Sequence, residues 1–67
     1  SNVLVLYKAE VQKEAIAYAC KLRAEDQKVE LVRMSRRHDL QEYIDYAHKM
    51  HFAKLCYFEA ADKITEY

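Results

Sequence analysis

Residues Val3-Leu4-Val5-Leu6-Tyr7 decide the fold. Successive side chains of an extended chain point to opposite faces, so an unbroken apolar run buries both. Such a strand belongs inside a sheet with a packed layer on each side. The pattern then changes period. From about Glu10 to Glu25, Val11, Ala15, Tyr18, Ala19 and Leu22 share one helical face. Glu10, Lys13, Glu14, Lys21 and Glu25 fall on the other. Lys28 to Met34 returns to loose alternation, with Val29 and Leu31 inward and Glu30 outward, and reads as a second strand.

Asp39 has the chemistry of a helix N-cap, and Glu42 three residues on completes a capping-box arrangement. Leu40, Tyr43, Ile44 and Ala47 then form the apolar stripe of a second helix running to about Met50. Lys54 to Glu59 predicts a third strand. Ala60-Ala61-Asp62 makes a short connection to a weaker fourth, Lys63 to Tyr67. The order β-α-β-α-β-β implies an α/β fold with right-handed crossovers. The most apolar strand goes inside, which gives a sheet order of 2-1-3-4 with one helix on each face. The last connection is too short for a crossover, so strand 4 is expected antiparallel to strand 3. No linker, repeat or low-complexity tract divides the chain, and residues 1–67 are expected to form a single domain.

Composition narrows the function. The 67 residues carry 11 basic and 11 acidic side chains, so the strong positive field typical of nucleic-acid binders is missing from the total. Glycine and proline are both absent, where about eight would be usual. Every turn must therefore be made by residues with a Cβ, and glycine-rich phosphate loops are excluded. Two cysteines, Cys20 and Cys56, are fewer than a secreted domain of this size ordinarily uses. No apolar run approaches the ~18 residues of a membrane span. These features together predict a soluble, cytoplasmic protein.

Few groupings have catalytic chemistry. His48 and His51 are three apart on the second helix, with His38 at its entrance, but structural zinc takes four ligands and catalytic zinc three. No ligand spacing of that kind occurs, and neither a metal nor a cofactor is expected. Cys56, between Leu55 and Tyr57, reads as a small buried hydrophobe. Glu42 and Asp45 complement a helix dipole. The chain by itself is not expected to be an enzyme. One cluster stands out. Arg33, Arg36, Arg37 and His38 fall between the second strand and second helix with no acid among them. In a parallel sheet that loop opens at the carboxyl edge of the strands, where anions bind. Six tyrosines and two phenylalanines could stack on single-stranded RNA. A plain solvated loop is the competing reading, since Asp39 and Glu42 follow directly.

Val3-Leu4-Val5-Leu6, Ala19-Cys20-Lys21-Leu22-Arg23, Lys28-Val29-Glu30-Leu31 and Tyr46-Ala47-His48-Lys49-Met50 together resemble the anticodon-binding domain of class II aminoacyl-tRNA synthetases of the histidyl type. The resemblance covers nearly the whole chain and implies a mixed sheet of order 2-1-3-4-5 with strand 4 antiparallel. The family's helix-ending glycines fall at Asp26 and His51, two residue types that tolerate a left-handed backbone. On the second helix, where the synthetase pattern has lysines, this chain has Gln41, Glu42 and Asp45. Losing about three phosphate contacts weakens non-specific tRNA binding by orders of magnitude.

A domain of this type without tRNA contacts is similar to the C-terminal domain of the regulatory subunit of ATP phosphoribosyltransferase, a synthetase paralogue of histidine biosynthesis. That resemblance implies a non-catalytic C-terminal part of a larger protein. Its partners would be a synthetase-like core in the same chain and the catalytic ATP phosphoribosyltransferase subunit. The alternative implied is a true tRNA-binding domain of a histidyl-tRNA synthetase, with Arg33, Arg36, Arg37 and His38 at the anticodon. The uncovered edge of the fourth strand and the zero net charge further predict that the isolated domain forms a homodimer.

Overall fold

In a computed structural model, residues 2–67 are described. They form β1 (Asn2–Tyr7), a 3₁₀ turn (Ala9–Val11), α1 (Gln12–Ala24), β2 (Lys28–Arg33), α2 (Leu40–Lys49), β3 (Lys54–Ala60) and β4 (Lys63–Glu66). The sheet order is β2-β1-β3-β4. β1 pairs in parallel with β2 and β3, and β3 pairs antiparallel with β4. The predicted α/β topology is therefore the observed one, strand for strand.

The apolar run works as its pattern dictates. Val3 and Val5 face α1, where they pack with Val11, Ala15, Leu22 and Phe58. Leu4 and Leu6 face α2, with Ala47, Leu55 and Tyr57. Each fully buried aliphatic side chain contributes roughly 1.5–3 kcal/mol relative to exposure. β2 is an edge strand and only half-buried at Val29, Leu31 and Val32. Its Val29 and Leu31 pack toward α1, whereas Val32 packs toward α2.

Both helices stop without glycine. Asp26 and His51 take left-handed φ values of 65° and 60°. Behind Asp26, the N–H of Gln27 donates to the carbonyl of Leu22 at 3.1 Å and the N–H of Asp26 to Arg23 at 3.0 Å. Behind His51, the N–H of Phe52 donates to Ala47 at 2.9 Å and that of His51 to His48 at 3.1 Å. These are paired Schellman closures that satisfy the last carbonyls of each helix.

Boundaries shift by small amounts. The first helix begins with a 3₁₀ turn, because the N–H of Val11 donates to the carbonyl of Lys8 at 3.0 Å, before α1 sets in at Gln12. β3 runs on to Ala60, and a bulge between Phe58 and Ala60 leaves Ala61-Asp62 as the turn. β4 closes at Glu66, with Tyr67 joined to Leu55 through reciprocal backbone bonds of 3.0 and 2.9 Å.

Candidate functional site

The basic loop lies where the topology requires, at the carboxyl ends of β1 and β2. Two hydrogen bonds shape it. The N–H of Ser35 donates to Tyr43 Oη at 2.8 Å, which ties the start of the loop to the first turns of α2. The N–H of Arg37 donates to Ser35 Oγ at 3.0 Å and tightens the turn. Behind them, Tyr57 Oη donates to Met34 Sδ at 3.4 Å. The loop is thus anchored by two phenols, one from α2 and one from β3.

At its far end the loop feeds a complete capping box. The N–H of Glu42 donates to Asp39 Oδ1 at 3.0 Å, and the N–H of Asp39 donates to Glu42 Oε1 at 3.1 Å. The other Glu42 oxygen lies 3.0 Å from His38 Nδ1. The bond from His38 first, and that from the Asp39 N–H second, hold the Glu42 carboxyl below its ordinary range. The N–H groups of Asp39 and Glu42 and the partial positive charge of this helix end are therefore met by the chain's own carboxylates. An external anion would compete with Asp39 and Glu42.

The sequence cluster separates in space. Arg36 joins Lys8, Glu10 and Ser35 around an open depression of about 390 Å³. His38 instead lines a neighbouring groove of about 430 Å³, with Val32, Glu42, Tyr43 and Tyr46. Arg33 and Arg37 are exposed, the first at the end of β2 and the second at the loop turn. Lys8 was not singled out by sequence, yet it directly follows β1, and the 2-1 strand order brings it beside the end of β2. Tyr46, about 40% exposed, was likewise missed because it sits just off the apolar stripe of α2.

The groove's walls are largely aromatic. Tyr43 and His38 meet edge to face at 6.1 Å, and Tyr46 lies 6.2 Å from Phe52. No family model matches the chain, and no curated protein or solved structure matches it.

Other chemistry-bearing groups are placed for packing. Cys56 is fully buried, and burial pushes its thiol above the ordinary range, opposite to the shift that makes a nucleophile. Tyr18 covers it, with Oη 3.9 Å from Sγ, and meets Phe58 edge to face at 5.2 Å. Burial first, and Cys56 second, push the Tyr18 phenol up to about 12. Among the described residues, no three His, Cys, Asp or Glu side chains gather as a metal-binding group. No helix among them is long and apolar enough to cross a membrane.

Proposed function

We propose that this chain is a non-catalytic assembly domain of the anticodon-binding type, the C-terminal domain of a histidyl-tRNA synthetase-like regulatory subunit of ATP phosphoribosyltransferase. One observation carries the reading. The exposed start of α2 presents Gln41, Glu42 and Asp45, with Gln41 Nε2 donating to Asp45 Oδ1 at 3.0 Å. Carboxylates in that row repel the phosphates that lysines attract in the synthetase pattern. The order β2-β1-β3-β4 with β4 antiparallel supports the same reading, because the first four strands of that fold are arranged so.

Mixing the full-length parent with the short catalytic subunit is the test. A complex whose activity responds to histidine is expected. A parent that charges tRNA with histidine would overturn the proposal.

A tRNA-binding role is the second reading, favoured by Lys8, Arg33, Arg36 and Arg37 at one edge of the sheet. On that reading, tRNA affinity of this chain falls roughly tenfold or more between about 50 and 200 mM salt, as three phosphate contacts require. No binding at low salt excludes it.

A further inference from the structure

We infer that β4 pairs with β4 of a second copy of this chain, antiparallel about a two-fold axis at Thr65, to make one continuous eight-stranded sheet. Leu55 and Tyr67 exchange both backbone hydrogen bonds, so their pair is of the closely bonded kind. Alternation along the ladder then turns the N–H and C=O of Ile64 and Glu66 away from β3. Among the described residues no side chain hydrogen-bonds these groups.

The opposite edge of the sheet is treated differently. Met34 N–H donates to the Tyr7 carbonyl at 2.8 Å, which turns Val29, Leu31 and Arg33 outward on β2. There the Arg23 guanidinium donates to the Val29 carbonyl at 3.0 Å and occupies the edge. The Arg23 guanidinium interrupts the β2 edge at Val29, whereas among the described residues no side chain occupies the outward groups of β4, which points to β4 as the pairing strand.

Charge selects the register. Outward-facing residues must pair with outward-facing residues, which leaves three two-fold arrangements. Ile64 opposite its own copy would place Asp62 opposite Glu66. Glu66 opposite its own copy would set two carboxylates face to face. Both put like charges directly across the ladder. The third sets Ile64 opposite Glu66 of the second copy, and the Glu66 carboxylate is already balanced by Lys54 at 3.5 Å. It also sets Lys63, whose ammonium lies 3.4 Å from Glu59, opposite Tyr67 of the second copy, and Thr65 opposite Thr65. On the α1 side, Ile64, about 42% exposed beside Phe58, loses its contact with water. This inference goes beyond the assembly role proposed above and concerns the 67-residue chain by itself.

Sedimentation of the chain from about 10 µM to 1 mM, the range suited to a small interface, should show its mass doubling from 8.0 kDa. Thr65→Cys in a Cys20→Ser background places two thiols across the axis at a non-hydrogen-bonded pair, within disulfide reach. Under a glutathione redox buffer it should give at least about fivefold more covalent dimer than Lys63→Cys in the same background. Ile64→Pro removes an outward N–H that the sheet does not use and should abolish the doubling with unchanged circular dichroism. A constant 8.0 kDa together with equal cross-linking of the two cysteine variants overturns the proposal. Mass doubling with equal cross-linking overturns the β4 contact.

Discussion

Tyr43 on α2 reaches back to accept the N–H of Ser35 at 2.8 Å, and in doing so sets the path of the whole basic loop. The phenol gives this N–H an acceptor where, among the described residues, the turn offers no backbone carbonyl. Its ring meanwhile forms one wall of the groove beside His38. A single side chain thus joins the core under α2 to both candidate binding features.

Tyr43→Phe keeps the ring and removes the acceptor. Leaving the half-buried Ser35 N–H unpaired costs about 1–3 kcal/mol. Urea unfolding should show a loss in that range, and hydrogen exchange of the Ser35 amide should accelerate more than that of β1 amides.

Asp39→Ala opens the capping box and is expected to cost about 1 kcal/mol. Glu42→Gln acts through pH. The Glu42 carboxyl titrates lower in the folded chain than its ordinary 4.5, so its contribution is present above that value and lost as pH falls through the folded one. The acid limb of the stability curve below about pH 4.5 should therefore be shallower in Glu42→Gln than in the parent chain.

Asp26→Gly relieves a left-handed backbone at φ 65°. Removing the Cβ is expected to raise stability by about 0.5–1 kcal/mol, while Asp26→Val should lower it. Chemical denaturation of the three proteins side by side would show this order.

Tyr18, Tyr57 and Cys56 shape the alkaline limb. All three titrate above their ordinary values in the folded chain, 10.0 for the phenols and 9.0 for the thiol. Their contribution is complete below those values and is lost as pH rises toward the folded ones, near 12 for Tyr18. Melting temperature should fall from about pH 9 upward. Tyr18→Phe, which deletes the phenol but keeps the ring on Phe58, should flatten the fall above pH 10.

The two thiols should also separate kinetically. Cys20 is exposed and Cys56 buried. An aromatic disulfide reagent is expected to modify one thiol per chain rapidly, and the second only at the rate of unfolding. Rapid reaction of both would contradict the packing of Tyr18 over Cys56.

Everything carried by local period was legible in the sequence. The two-sided burial of Val3 to Leu6, the core stripes of both helices and the Asp39–Glu42 box each depend on residues a few positions apart, whereas the left-handed ends at Asp26 and His51 rest on the family resemblance. Even the strand order followed, because crossover handedness and one short connection leave little choice. Only the tertiary structure decided which groups come together: Tyr18 with Cys56, Tyr43 with the Ser35 N–H, Arg23 on the edge of β2, and Arg36 around one depression with Lys8 while His38 lines another. The reason is geometric. A run of four basic positions is compact along the chain, but a turn points its side chains in different directions. Their neighbours are then chosen by which strand ends the sheet brings together, a relation between segments dozens of residues apart that no local pattern encodes.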